Sequence, residues 1–468
     1  MLSHCQERSD LSPLGRGELC RSNTVSTKNR LALMVLTIGI DVGGTFTDLV
    51  AIDESGRTAF AKSLSTPADQ SIGVMAGLDE LARRMDLTRE AMLARTQRLI
   101  HGTTVATNAL LERKGAKVAL LTTEGHRDVI EMREGLKGNR YELRSPPPEP
   151  LVPRELRFGV RERLRANGEV LTPLDDASLA RTIEAIRDAG VTSVAVCFLH
   201  AYRNPVHELA AVEALARELP GVQVSRSSDV LPQIKEYERV STTIVNAYVG
   251  PLVRLYLSNL ERRLAQCGFA GTLFIVLSHG GMAPVDEAAR LAAGTVLSGP
   301  AGGVSGSRRC AELLDIPNLV PFDMGGTSTD ISLISGGRAA LSSGSGLAGE
   351  RIALRSLDIT SIAAGGGSIA RVDAGGTFQV GPESAGAMPG PACYGHGGTA
   401  ATVTDANVVL GYLDAAAFMG GRRPLDSAAA EAAVDRVASS LNLSRIEAAA
   451  GIHRLINLKM ADGIRLMT

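Results

Sequence analysis

Ile38-Gly39-Ile40-Asp41-Val42-Gly43-Gly44-Thr45-Phe46-Thr47-Asp48-Leu49-Val50-Ala51-Ile52-Asp53 is the stretch on which the reading of this chain turns. An apolar strand runs into Asp41, the chain reverses through Gly43, Gly44 and Thr45, and a second apolar strand returns. Such a β-hairpin has a turn with little side-chain bulk, so its backbone N–H groups can point at an anion. Asp41 stands where a carboxylate can hold a hydrated Mg2+ beside phosphates. Thr45 and Thr47 offer hydroxyls, and Asp48 can orient the turn or a water on the metal.

The same text returns far downstream as Leu319-Val320-Pro321-Phe322-Asp323-Met324-Gly325-Gly326-Thr327-Ser328-Thr329-Asp330-Ile331-Ser332-Leu333-Ile334. The shared pattern is D-x-G-G-T-x-x-D, with Asp323 standing for Asp41 and Asp330 for Asp48. A single copy is as readily a plain turn. Two copies, each between strand-like runs, fall outside the normal variety of hairpin turns. The physical picture is two hairpins facing each other across a cleft and closing on the β- and γ-phosphates of ATP. Gly43, Gly44, Thr45, Gly325, Gly326 and Thr327 form the cradle, and Asp41 and Asp323 face the metal and the phosphates.

Length and composition agree with a soluble globular protein. At 468 residues the chain has room for two or three domains with buried cores, and 44 % apolar against 21 % charged residues is globular usage. Aromatics are scarce at 3 %, so the core is expected to be built from Ala, Val, Leu and Ile. The net charge of −1 speaks against general nucleic-acid binding. No apolar run approaches the roughly 18–20 residues of a membrane span, and a cytoplasmic setting is expected. Cys5, Cys20, Cys197, Cys267, Cys310 and Cys393 are dispersed without zinc or disulfide spacing. Residues 1–33 are polar and aperiodic, which suggests a disordered extension or a mis-assigned start ahead of Met34.

The paired hairpins resemble the first and second phosphate motifs of the actin/hexokinase/acetate-kinase superfamily. From about Val35 to the C-terminus the text is similar to the hydantoinase A/5-oxoprolinase family, including N-methylhydantoinase A. The stretches that carry this are His101-Gly102-Thr103-Thr104-Val105-Ala106-Thr107-Asn108, Ser278-His279-Gly280-Gly281-Met282, Leu297-Ser298-Gly299-Pro300-Ala301-Gly302-Gly303, Ala364-Gly365-Gly366-Gly367-Ser368 and Pro389-Gly390-Pro391-Ala392-Cys393-Tyr394-Gly395.

The resemblance implies an α/β fold of the actin-like ATPase (ribonuclease H-like) kind, with two related α/β domains around a nucleotide cleft. The expected division is a first domain over 34–265 and a second over 266–468. The second is expected to be incomplete, since the text stops at Thr468 in a helix that a G-G-x-G-type loop should follow, and weak ATP turnover by the isolated chain is expected with it. The implied activity is ATP-dependent hydrolysis of a cyclic amide (a hydantoin, an N-methylhydantoin or 5-oxoproline) through phosphorylation of the ring carbonyl. ATP and Mg2+ are the implied cofactors, and a second subunit of hydantoinase B type the implied partner. A subunit of an acetone/acetophenone-type carboxylase and an inactive truncated fragment remain the alternatives.

Other residues are read with two meanings each. His101 ends a strand ahead of a helical pattern over 105–114, and is either a capped structural histidine or a catalytic group touching substrate or phosphate. Asn108 either faces the same pocket or is solvated, and Arg127 and Arg133 either bind a substrate carboxylate or belong to a solvated charge run. Gly299 to Gly303 either free backbone N–H groups for an anion or allow close helix packing. Gly365 and Gly366 follow a strand and are expected to let the backbone approach nucleotide or substrate. The Gly- and Pro-rich segment 381–407 is expected to be irregular and functional, with Cys393 an unreactive buried thiol rather than a nucleophile.

Overall fold

A computed structural model describes residues 35–44, 46–66, 69–135, 144, 149–342, 344–418, 420–421 and 423–468. The expectations for residues 1–33, for Met34 as the start and for Thr45 lie outside the described residues.

The first lobe starts as an antiparallel meander. In β1 (Leu36–Val42) the residues Leu36, Ile38, Ile40 and Val42 are buried in strict alternation, and β2 (Phe46–Asp53) buries Thr47, Leu49 and Ala51. With a side-chain period of two, this alternation allows one register only, and that register sets Asp41 opposite Asp48. Next come β3 (Thr58–Leu64), α1 (Gln70–Arg84), whose N-terminus Asp69 caps by accepting from the Ser71 N–H, and β4 (Thr96–Thr103). Strand β4 lies parallel to β1 and brings Gly102 level with Asp41.

Helix α2 (Val105–Leu111) is shorter than the pattern over 105–114 predicts, and Arg113 takes a positive φ of 55° just beyond it. A second, four-stranded sheet follows from β5 (Val118–Thr123), β6 (Arg157–Val160), α3 (Asp176–Asp188), β7 (Ser193–Cys197), α4 (Val206–Glu218) and β8 (Gln223–Arg226). All its pairings are parallel, in the order β8-β7-β5-β6. Every residue of β5 and β7 is buried, as expected of strands covered on both faces.

Helix α5 (Glu236–Gln266) runs between the two sheets and is buried on most of its circumference over residues 238–250. The chain then returns to the first sheet as β9 (Thr272–Val276) and β10 (Met282–Pro284), giving the order β10-β9-β4-β1-β2-β3. Because β9 pairs with β4, the first hydrophobic core continues past residue 265 to Val296 and takes in Ile352. The expected division at 265/266 therefore falls in the last turn of α5, just ahead of a strand of the same core.

The second lobe opens with α6 (Ser298–Leu314) and a short meander, β11 (Phe322–Met324), β12 (Thr329–Ser332) and β13 (Ile359–Ile362), paired in that order. It repeats the β1-β2-β3 arrangement. A hairpin of β14 (Ser368–Val372) and β15 (Phe378–Ser384) and helices α7 (Val403–Val409), α8 (Ser427–Leu441) and α9 (Arg445–Met467) pack around a core rich in small residues, including Ala364, Ala406, Ala433 and Ala448. Among the described residues, no helix is long and apolar enough to cross a membrane.

The irregular segment before α7 is organised by one buried carboxylate. Asp405 accepts from the backbone N–H groups of Cys393 (2.8 Å), Ala392 (3.2 Å) and Thr402 (2.9 Å) and from the Thr402 hydroxyl (2.7 Å). Cys393 is buried beside it, and burial followed by the Asp405 charge pushes its thiol far up, in keeping with an unreactive cysteine. Asp405→Asn would replace a charged acceptor of four donors by an amide that brings donors of its own. We expect a loss of about 3 kcal/mol in denaturant unfolding followed by circular dichroism.

Candidate functional site

The two D-x-G-G-T-x-x-D turns are built alike. Asp41 pairs with Asp48 and Asp323 with Asp330, and the Gly43 N–H donates to the Phe46 carbonyl as the Gly325 N–H does to that of Ser328, each at 2.9 Å. Gly44, Gly325, Gly326 and Thr327 are exposed and Gly43 half-buried. Thr47 differs from expectation. It is fully buried and its hydroxyl lies 3.1 Å from the Ser65 hydroxyl, which in turn donates to the Gly43 carbonyl at 2.7 Å. It braces the first turn from behind rather than offering a hydroxyl to phosphate. Its counterpart Thr329 is also fully buried and donates to the Ala364 carbonyl.

Asp41 sits where three segments meet. A Cβ on Gly102 would come within 3.2 Å of its Oδ1, and one on Gly299 within 3.0 Å, so both walls of the carboxylate are bare backbone. The second wall is the start of α6. Leu297 precedes that helix in the left-handed conformation (φ 60°), and no side chain caps the helix. Ser298, fully buried, donates to the Thr103 carbonyl (2.9 Å) and accepts from the Thr103 N–H (3.1 Å). The N–H groups of a helix start favour negative charge.

The charges around Asp41 are unbalanced. Although it opens onto the cleft, the surrounding protein withdraws water from its carboxyl, and with Asp323 and then Asp48 nearby this raises it to about 6, against the pull of Lys62. Burial and Asp323 raise the Asp330 carboxyl as well. Lys62 cannot neutralise the group, because its ammonium is held by both oxygens of Asp48, at 2.6 and 2.8 Å. Neighbouring carboxylates of this kind suit a hydrated Mg2+, which usually takes one or two carboxylates with phosphate and water oxygens. No group of three or more His, Cys, Asp or Glu among the described residues could hold a metal by itself. Asp41 and Asp323 are the residues that could serve such an ion as carboxylate ligands.

Two sequence expectations need correcting. His101 lies inside β4 opposite Ile40, fully buried, with its Nε2 2.7 Å from the Tyr256 hydroxyl on α5. Burial depresses its pKa to about 4, and its place inside the sheet fits the structural reading of this histidine rather than the catalytic one. Gly365 and Gly366 do serve a close approach, but to the second turn. The Gly366 N–H donates to the Gly325 carbonyl (3.0 Å) and the Gly367 N–H to that of Gly326 (2.6 Å). A Cβ on Gly365 would lie 2.6 Å from the Thr327 nitrogen. Asn108 stays within its helix, donating to the Thr104 hydroxyl, and Arg133 donates to the Gly349 carbonyl. The residues absent from the expected site are Gly102, Ser298 and Lys62, whereas Gly299 belongs to the run read either as an anion site or as close helix packing. Gly102 and Ser298 stand in the glycine runs already quoted, but nothing in the sequence marks Lys62.

The family model for the hydantoinase/oxoprolinase N-terminal region matches residues 37–219, and that for hydantoinase/oxoprolinase matches residues 239–468. The chain belongs to the hydantoinase/oxoprolinase family. It is 42 % identical to the caprolactamase subunit alpha of Pseudomonas jessenii over 431 residues, covering 92 % of this chain and 62 % of that one. The crystal structure of the ATP-dependent caprolactamase from P. jessenii superposes with a TM-score of 0.78 at 41 % identity, over 92 % of this chain and 63 % of that one. The nucleotide-free acetone carboxylase superposes with 0.81 at 30 % identity, over 93 % and 63 %. The chain thus spans less than two thirds of the length of these relatives.

Two tests follow from the site. Gly365→Ala must displace the second turn, so we expect a loss of about 1–3 kcal/mol in stability together with weakened ATP·Mg2+ binding. Gly44→Ala, which meets nothing within 4 Å, is the steric control for stability. The pH dependence has two opposite signs. With its folded carboxyl raised to about 6, Asp41 takes up a proton on folding between about pH 4 and 6, so its contribution to apo stability falls as pH rises through that window. Divalent-ion binding needs the carboxylate and should rise across the same window. Unfolding and Mn2+ titrations at pH 5 and pH 7, with Asp41→Asn as reference, check both.

Proposed function

We propose that the two hairpins bind ATP·Mg2+ and that the whole protein uses it to hydrolyse a cyclic amide. The observation that carries this reading is the pair of identically registered glycine turns whose leading carboxylates, Asp41 and Asp323, interact across one opening. Phosphoryl transfer depends mostly on positioning and charge stabilisation, and backbone-lined turns with facing carboxylates provide both. The turns around Gly43–Gly44 and Gly325–Gly326 would orient the β- and γ-phosphates, with Thr327 beside the second turn. Mg2+ would supply charge neutralisation to the phosphate oxygens. Asp48 keeps Lys62 at the margin of the opening, and Asp330 adds negative charge beside Asp323.

A cyclic amide resists water because resonance makes its carbonyl carbon weakly electrophilic. Transfer of the γ-phosphoryl group to the carbonyl oxygen, with ADP leaving, removes that resonance and turns the oxygen into a leaving group. Water then adds to the carbon and the ring C–N bond opens as the nitrogen takes up a proton, leaving an acyl phosphate that a second water hydrolyses to the carboxylate and phosphate. The 42 % identity to a caprolactamase subunit supports a cyclic amide as substrate. That relative's name as a subunit supports a second, hydantoinase B-type subunit as partner. The similarity to acetone carboxylase supports a second reading, ATP-dependent activation of a ketone for carboxylation.

The deciding experiment combines calorimetry and phosphate release. ATP·Mg2+ binding by the chain should weaken about tenfold or more in both Asp41→Ala and Asp323→Ala. With the partner subunit present, caprolactam, a hydantoin or 5-oxoproline should stimulate phosphate release, and acetone with bicarbonate should not. The opposite stimulation pattern would establish the carboxylase reading. Stimulation by neither would leave an assembly piece.

A further inference from the structure

A second constellation lies at the opposite end of α5 from the hairpins. All four strands of the β8-β7-β5-β6 sheet are parallel, and the chain visits them as β5, β6, β7 and β8. The connection leaving β5 therefore goes to one side and that leaving the adjacent β7 goes to the other. Such a reversal marks a topological switch point, outside which ligands gather in open parallel sheets. The residues beyond the carboxyl ends here are His126 after β5, Arg163 after β6, and His200 and Tyr202 after β7. The first turn of α5 adds Glu236 and Arg239.

These side chains touch one another. Arg163 Nη1 donates to His126 Nε2 at 3.0 Å, and His126 is held below its usual pKa by burial, then Arg163, with His200 adding to the effect. The rings of His200 and Tyr202 meet edge-on at 6.1 Å, and the Arg239 guanidinium stands 5.5 Å from the centre of the Tyr202 ring. Arg239 is 2 % exposed and donates through Nη2 to the Phe198 carbonyl at 2.7 Å. Its Nε and Nη1, and His200 Nδ1, are buried with no hydrogen-bond partner. Unsatisfied buried donors are rare enough in folded proteins to call for an explanation.

The carboxylates of the cluster do not supply it. Glu162 is engaged by the Thr123 hydroxyl and by His207 Nδ1 at 2.7 Å. Glu208 accepts from the Phe198 and Ser228 N–H groups and from the Ser227 hydroxyl. What remains unmatched is two guanidinium donors of Arg239 and a ring nitrogen of His200, beside the start of a 31-residue helix that no side chain caps. His200 and Lys235 both hold positive φ angles (59° and 84°), conformations that cluster where structure serves a ligand. Glu236, half-buried and facing His126, adds a negative charge that disfavours a polyanion.

We propose that this end of the parallel sheet is a second ligand site, taking a small monocarboxylate whose oxygens meet Arg239, His200 and the start of α5. From Arg239 to Tyr256, which touches the strand carrying Gly102, α5 covers about 25 Å at 1.5 Å per residue, so the site is separate from the phosphate hairpins. It stands without the cyclic-amide reading. On that reading, the ring-opened product is itself a carboxylate, and the site has the chemistry to retain or sense it.

The test is calorimetry on the full chain with acetate, 6-aminohexanoate (ring-opened caprolactam) and inorganic phosphate as probes, read alongside histidine 13Cε1 NMR signals. We expect a carboxylate to bind and to shift the His126 and His200 signals. Affinity should drop about tenfold or more in Arg239→Gln and in His200→Asn. The second variant guards against misfolding of the first, since Asn tolerates the positive φ at 200. Mg2+·ATP binding should be unchanged in both, so a failure here is distinguishable from a failure of the hairpin reading. No carboxylate binding by the parent, equal binding by both variants, or phosphate binding as tightly as the carboxylates would overturn the proposal.

Discussion

The hydroxyl of Ser298 both donates to and accepts from the backbone of Thr103, and through this exchange the start of α6 is fixed against the end of β4. Much of the region around the paired glycine turns depends on it. It sets Gly299 and Gly102 on either side of Asp41, and it delivers the chain from the first lobe into α6 and on to the second hairpin. A buried hydroxyl making two backbone hydrogen bonds is a constraint with few alternatives, because losing it strands polar groups away from water. The left-handed Leu297 just before it is the local cost of turning the chain into that position.

Two turns of the same sequence are held by different means. Side chains support the first, through Thr47, Ser65 and the Gly43 carbonyl. Backbone supports the second, through the Gly366 and Gly367 N–H groups laid against Gly325 and Gly326. The first can stand on its own sheet because β1 is flanked by β2 and β4, whereas β11 pairs only with β12 among the described residues. The glycine run at 365–367 gives the second turn a support that its narrow sheet does not. Between the turns, Asp41 and Asp323 place negative charge in a partly desolvated opening, an arrangement that an ion and phosphates relieve.

Helix α5 sets the scale of the first lobe. Its C-terminal half packs on the hairpin sheet, where Tyr256 meets His101 and Arg263 meets Asp69. Its N-terminal half packs on the parallel sheet and receives the 345–352 hairpin through Ser241 and Thr242. One rigid element thus connects the phosphate turns, the switch point of the second sheet and a segment of the second lobe.

What the sequence determined by itself was local and repetitive. Apolar alternation around Asp41 requires a strand in one register, and the D-x-G-G-T-x-x-D repeat requires two similar turns, so the α/β fold and its paired carboxylates were legible before any coordinates. Which atoms surround those turns was decided by tertiary structure. Whether Thr47 faces phosphate or Ser65, whether His101 meets a ligand or Tyr256, and whether Gly365 approaches a nucleotide or Thr327 depend on partners 18, 155 and 38 residues away along the chain. The same holds for Lys62 beside Asp48, and for Arg239 buried against the loop after β7. A residue's type states which hydrogen bonds and charges it must satisfy. Only packing in three dimensions decides which neighbour satisfies them, because burial and proximity belong to the folded arrangement and not to the order of residues.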